Sequence, residues 1–288
     1  MNELAPHGLA GLAAAPLARR GFVMSGLISG LTLATARVEA QVIHTDTAGL
    51  TAGEAQIPVA GGGLPAYYAR PAAGGPFPSV LVIEEIFGVH EYIRDVCRRL
   101  AKLGYLAVAP ELYARLADLS RMSDVQQIIR DVILKAPDAQ VMSDLDAAAA
   151  WAAGQGGDPG RLAVTGFCRG GRDTWLYAAH NPALKAAVAW YGPVVGPTSA
   201  IQPHTATDLA GELKCPLLGL YGGADAGIRV PDVQVAAERA KAAGKIVDIV
   251  VYPDAPHGFH ADYRPSYRPD AAADGWQRML AFFRAHGV

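Results

Sequence analysis

Charge is scarce in this sequence and balanced where it occurs. Only 18% of the 288 residues are charged, with 25 Lys and Arg against 27 Asp and Glu, for a formal net charge of −2. There is no long run of one sign, which argues against a nucleic-acid-binding surface. Cysteine is scarce too: Cys97, Cys168 and Cys215 are the only three. So few exclude a scaffold stapled by several disulfides, and an odd count leaves at least one thiol free or paired between chains. No repeat of solenoid period is present. A long apolar run is also missing. The stretch from Gly21 to Ala36 has sixteen residues, short of the roughly 20 that a membrane-spanning helix needs.

That stretch has another reading. Arg19-Arg20 stand just before it, and it is rich in Gly, Leu, Ser and Thr. Paired arginines ahead of a short apolar core suggest the twin-arginine export route. Val38-Glu39-Ala40 offers a small-residue cleavage site before Gln41, with Ala34-Thr35-Ala36 as the alternative. The expectation is an export signal over residues 1–40, a single domain over 41–288, and a periplasmic or secreted protein with no stable membrane span after removal of the signal. An amino-terminal tail or an uncleaved anchor is the competing reading.

What the sequence has in quantity is apolar residues, 51% of the chain, as expected of a sheet covered on both faces. Strand-like and helix-like segments alternate. Ile57 to Ala60 and Ala66 to Arg70 flank three glycines and predict a hairpin. Ser79 to Glu84 and Tyr105 to Ala109 read as strands around a helix over Glu91 to Leu103. Glu111 to Lys135 reads as a helical excursion over the site. Ser143 to Ala153 reads as an alanine-rich helix closed by a turn at Asp158-Pro159-Gly160. Strands follow at Leu162, Lys185, Leu217 and Ile246, with a loop from Gly192 to Glu212 and a closing helix over Ala271 to Ala285. The pattern predicts an α/β protein with a mostly parallel central sheet and helices on both faces.

One hexapeptide carries the chemistry: Gly166-Phe167-Cys168-Arg169-Gly170-Gly171. It follows the short apolar run from Leu162 and precedes a helix-like stretch from Asp173 to His180. Small residues two before and two after the apex permit a sharp strand-to-helix turn. The apex thiol is held away from the sheet beside a helix amino terminus. A thiol is mostly protonated at neutral pH, so a nucleophilic Cys168 needs an imidazole to take its proton and a carboxylate to orient that imidazole. In a doubly wound hydrolase these follow in the order nucleophile, acid, histidine. Asp225, after Leu217 to Tyr221, and His257, after Ile246 to Tyr252, fall in that order at strand ends. Asp254 is a nearby competitor in a proline-flanked turn. His260 and Asp262 invite a metal reading, but no third strong ligand cluster accompanies them. No metal and no cofactor is expected, and the glycines lack the spacing of a nucleotide-binding loop.

From Ile57 to Val288 the chain resembles the dienelactone hydrolase family, the cysteine branch of the α/β-hydrolases. The resemblance rests on Glu84-Glu85-Ile86-Phe87-Gly88, Pro110-Glu111-Leu112-Tyr113-Ala114-Arg115, the Cys168 turn, Gly222-Gly223-Ala224-Asp225 and Pro256-His257-Gly258-Phe259. It implies an α/β-hydrolase fold and a triad of Cys168, Asp225 and His257. It further implies that Glu85 holds the thiol neutral until substrate arrives. The backbone amides of Ile86 and Arg169 would form the oxyanion hole, and Arg115 would hold a substrate carboxylate. The family's second arginine, four residues after the histidine, is replaced here by Ala261. Arg264 and Arg268 are nearby but out of register, and Arg169 and Arg172 either take over anion binding or pair with acids such as Asp173. The expected partner is a small ester or lactone, neutral or anionic. A carboxylesterase or thioesterase on the same scaffold, and a non-catalytic exported binding protein, are the alternatives.

Overall fold

The computed structural model describes residues 42–288. The expected export signal over residues 1–40 lies outside the described residues, as do its cleavage sites. A hairpin opens the domain, β1 (Leu50–Val59) and β2 (Gly62–Pro71), with Val59 opposite Gly62. In chain order there follow β3 (Phe77–Ile83), α1 (Glu91–Lys102), β4 (Leu106–Pro110), α2 (Val125–Asp131), α3 (Asp138–Gly154), β5 (Gly157–Phe167) and α4 (Arg169–His180). The chain closes with β6 (Leu184–Trp190), α5 (Ala206–Leu209), β7 (Leu217–Gly222), α6 (Val230–Ala242), β8 (Val247–Tyr252) and α7 (Pro269–Ala285). The eight strands form one sheet in the order β1-β2-β4-β3-β5-β6-β7-β8. The first two pairings are antiparallel and the remaining five are parallel.

Burial explains why the parallel strands read as continuous apolar runs. Every residue of β4 and of β7 is buried, because helices cover both faces of the sheet. In α1 the buried Ile93, Val96, Cys97, Leu100 and Ala101 recur at helical spacing, so one stripe of the helix faces the sheet. Among the described residues no helix is long and apolar enough to cross a membrane.

Several elements differ from the sequence reading, among them the short α5, which forms inside the expected loop from Gly192 to Glu212. α3 starts at Asp138 rather than Ser143. Its first turn is fixed from outside, since the Asp138 amide donates to the Ile201 carbonyl and its carboxylate meets Arg172. The turn at Asp158-Pro159-Gly160 is absorbed into β5 as an irregularity: Phe77 pairs with Gly157, but Ser79 pairs with Leu162. No element is expected between the strands at Leu217 and Ile246, yet α6 forms there. Pro231 sits in its first turn and Val233, Ala236, Ala237 and Ala240 make its buried stripe.

Parallel strands share one carboxyl edge. The residues just past β3, β5, β6, β7 and β8 therefore converge, which brings Glu85, Cys168, Tyr191, Asp225 and His257 to one side of the sheet.

Candidate active site

β5 delivers Cys168 to a turn that few sequences tolerate. Cys168 has φ of 55° and is the residue before α4. A side chain on Gly166 would collide with the Gly170 carbonyl, and one on Gly170 with the carbonyls of Ile83 and Glu84. The glycines are thus required by close backbone approach. The Cys168 amide donates to the Trp190 carbonyl at 3.0 Å, and its own carbonyl accepts from Gly171 at 2.9 Å, which pins the turn on both sides. Among the described residues only one other non-glycine residue has positive φ, Tyr191 at 38°. It follows β6, and its ring packs edge-on against the His257 ring with centroids 5.2 Å apart. Backbone strain is thus gathered around one spot, as at sites where geometry is held for function.

The Asp225 carboxylate is oriented by the backbone amides of Gly227 and Ile228, at 2.8 and 3.1 Å to Oδ1. Its Oδ2 lies 2.8 Å from His257 Nδ1. His257 is buried, and burial opposes its charged form. Asp225 and then Cys168 outweigh that cost and push its pKa well above the usual histidine value. Nε2 is buried with no assigned hydrogen-bond partner among the described residues, and the Cys168 thiol lies close enough to raise the ring's proton affinity. The imidazole therefore binds a proton strongly, and Nε2 is free to exchange it with the sulfur. Asp254, by contrast, is exposed.

Neither the Ile86 amide nor the Arg169 amide has an acceptor among the described residues. Both residues line the cavity that also holds Cys168. The Arg169 amide belongs to the first turn of α4, where helix N–H groups have no internal partner.

The two adjacent glutamates meet different fates. Burial and the neighbouring Glu111 push the Glu84 carboxyl well up, and it accepts from the Leu112 amide at 2.8 Å. Burial would raise Glu85 as well. Arg264, then His90 and Tyr263, instead pull it down to about 2. Tyr263 donates to Glu85 Oε2 at 2.7 Å and Arg264 Nη2 donates to the same oxygen at 3.0 Å. The resemblance implies Glu85 holding the thiol. Here it is held by Arg264, because a buried guanidinium needs a counter-charge. Arg264 is itself stacked over Phe87 at 4.9 Å.

This pair makes stability pH-dependent with a definite sign. Glu85 has a depressed folded-state pKa, so its contribution is present above the usual 4.5 and is lost as pH falls toward 2. The difference corresponds to about 3 kcal/mol. Urea titrations between pH 5 and about pH 2 should show Glu85→Gln losing this acid-dependent fall. An acid limb unchanged in the variant would disprove the assignment.

Arg115 is placed elsewhere. It forms a two-pronged pair with Asp144, at 2.7 and 2.6 Å, and does not line the cavity. Arg268 is spent on the carbonyls of Pro265 and Tyr267. His260 bonds the Tyr92 hydroxyl at 2.7 Å inside an aromatic cluster, and Asp262 pairs with Arg99 at 3.1 Å. Cys97, Cys168 and Cys215 are all free thiols. The excursion before α3 does reach the site, where Ile129, Ile133 and Leu134 line the cavity. Asp138, which pairs with Arg172, and Tyr263 carry no sequence signal for their contacts. Tyr191 had one, its place directly after a strand ending at the carboxyl edge.

An eight-stranded, mostly parallel sheet with a strained strand-to-helix turn at its carboxyl edge, facing an aspartate–histidine pair, defines an α/β-hydrolase. The sequence model of the Dienelactone hydrolase family matches residues 64–287. The chain belongs to that family, and with it to the carboxylic ester hydrolases. It is 60% identical over 274 residues to a Methylorubrum extorquens protein named "Putative carboxymethylenebutenolidase", with 94% of each chain covered. It is 31% identical to a Bradyrhizobium protein named "Probable 2-oxo-3-(5-oxofuran-2-ylidene)propanoate lactonase", covering 77% of this chain and 89% of that one. A crystal structure from Klebsiella pneumoniae, described as a putative dienelactone hydrolase, superposes with a TM-score of 0.80 at 56% identity. It covers 82% of this chain and 98% of that chain.

Proposed function

We propose that the protein hydrolyses activated esters or lactones through a thioester formed on Cys168. The observation that carries this reading is the Asp225–His257 contact of 2.8 Å beside a thiol on a strained turn. Cys168 Sγ attacks the substrate carbonyl carbon as a thiolate, its proton having passed to Nε2 of His257, a ring with raised proton affinity. Asp225 holds the proton on Nδ1 and steadies the positive charge. The carbonyl oxygen becomes an oxyanion between the amides of Ile86 and Arg169, two donors with no other employment. Collapse breaks the bond to the leaving oxygen, which takes the proton from His257. Water then attacks the thioester, giving its proton to His257, and the acid leaves as Sγ regains a proton.

A thiolate leaves a tetrahedral intermediate more readily than an amide nitrogen does, so attack on an amide reverses, and activated esters and enol lactones suit this site better than amides. The test is to quench the purified protein during turnover of a 4-nitrophenyl ester and map the acyl mass by peptide mass spectrometry. The adduct is expected on the peptide holding Cys168. An adduct on another residue, or turnover with none at any quench time together with no pre-steady-state burst, would refute the covalent route.

A further inference from the structure

The cavity beside Cys168 contains two arginines, yet it offers no free positive charge. Its volume is about 110 Å³, and Arg169 and Arg172 form part of its wall. Arg172 grips Asp138 with both terminal nitrogens, each at 2.8 Å, and also reaches Asp173 at 3.0 Å and the His204 carbonyl at 2.8 Å. Arg169 meets Asp173 at 3.2 Å, Asp138 at 3.4 Å and the side-chain Oε1 of Gln202 at 3.4 Å. Two guanidiniums thus face two carboxylates, and the cluster is neutral. All four residues are buried or nearly so, which keeps water from loosening the pairs.

The other polar walls are committed as well. Gln202 donates its amide hydrogens to the carbonyls of Ile133 and Ala136, at 2.7 and 2.8 Å. The Thr205 hydroxyl is locked in a reciprocal cap with Asp208. The exposed His204 stands at the rim. Much of the remaining surface is apolar: Ile86, Ile129, Ile133, Leu134, Val195 and Pro197. Arg115 is spent on Asp144. Arg264 lies close enough to Cys168 to feel its charge, and its Nε and Nη1 have no partner among the described residues, but it does not line the cavity and its charge is matched by Glu85.

We infer that this cavity selects a short, neutral, apolar substituent beside the scissile carbonyl and rejects a carboxylate there, with Asp138 as the residue that enforces the choice. The inference rests on the ester-hydrolase reading and narrows its substrate class. A carboxylate entering the cavity would leave water without gaining a free cation, since both guanidiniums are paired and the unpartnered amides of Ile86 and Arg169 are needed by the scissile carbonyl oxygen. Removing the Asp138 charge leaves Arg172 in excess and creates the missing anion site.

The experiment compares kcat/KM for two matched pairs, each normalised to its hydrolysis by hydroxide. One pair varies the acyl side, 4-nitrophenyl hexanoate against the mono-4-nitrophenyl ester of adipate. The other varies the alcohol side, phenyl butanoate against 4-carboxyphenyl butanoate. Wild-type protein should favour the neutral member by about tenfold or more in at least one pair and the anion in neither. Asp138→Asn should raise the anion-to-neutral ratio about fivefold or more in that pair, chiefly through KM. Such a gain toward anions cannot come from a merely damaged cavity, which would lower both rates. No neutral preference in either pair, an anion preference in either, or an unchanged ratio in folded Asp138→Asn overturns the inference. If the variant does not fold, the wild-type pairs decide alone. Turnover that survives in Cys168→Ala, or absence of turnover of every ester, would instead strike at the hydrolase mechanism itself.

Discussion

Cys168→Ala is expected to lower kcat/KM for an activated ester by at least about 10⁴-fold. The expectation follows from how little else in the molecule can replace this sulfur. Cys97 lies in the buried stripe of α1, enclosed in the core, and burial pushes its thiol far above the usual value. Burial likewise pushes Cys215 up to about 12. Neither lines the cavity, and no histidine among the described residues acts on either thiol. Losing one Sγ at the cavity wall removes little packing, and alanine inherits the same turn. The variant should therefore melt within about 4 °C of the parent. Activity measured on an ester with a good leaving group, together with a thermal melt, separates the two effects. A folded variant retaining more than about one hundredth of the activity would move the nucleophile to another residue.

The order of Cys168, Asp225 and His257 along the carboxyl edge was legible because it depends on local rules. Glycines around Cys168 are forced by close backbone approach, and such a turn leaves its mark on consecutive residues. Asp225 and His257 were legible from their places after strands, since parallel strands must end on a common edge. The hairpin and most strands followed from apolar runs broken by glycine and proline. The start of α3 was not legible, because Asp138 is recruited by contacts with Ile201 and Arg172, distant in sequence. α6 was overlooked although its stripe of Val233, Ala236, Ala237 and Ala240 had helical spacing. Alanine at most buried positions made that stripe faint.

Charge pairing was the least legible layer. The sequence shows arginines near the site without saying which acid each will meet. Arg115 could have faced substrate, but Asp144 on α3 captures it. Arg169 and Arg172 could have bound an anion, but Asp138 and Asp173 neutralise them. Arg264, out of register with the family's second arginine, becomes the partner of Glu85. Each pairing joins distant segments or depends on which face of a helix turns inward. The charge pairing around the site therefore emerges from tertiary contacts, whereas the convergence of Cys168, Asp225 and His257 is announced by backbone geometry.

Asp225→Asn should be nearly as damaging as loss of the thiol, lowering kcat/KM by about 10³- to 10⁴-fold with the fold retained. Asparagine keeps an oxygen for the amides of Gly227 and Ile228, so the loop has no reason to move. What changes is the ring. An amide nitrogen facing Nδ1 donates to it, which leaves the ring proton on Nε2, the nitrogen that must receive the Cys168 proton. Burial also opposes the imidazolium, and without the Asp225 charge its largest counterweight is gone. The pH dependence changes in a predictable direction. In the parent, the raised His257 pKa gives stability that is full below the usual 6.5 and lost as pH rises through the raised value. In Asp225→Asn that alkaline loss should disappear, and alkylation of Cys168 by iodoacetamide near neutral pH should slow. Denaturant titrations across the alkaline range and alkylation rates read these two consequences separately. Activity within about tenfold of the parent would mean that another acid orients His257. The exposed Asp254, so close in sequence, would then be the first residue to test.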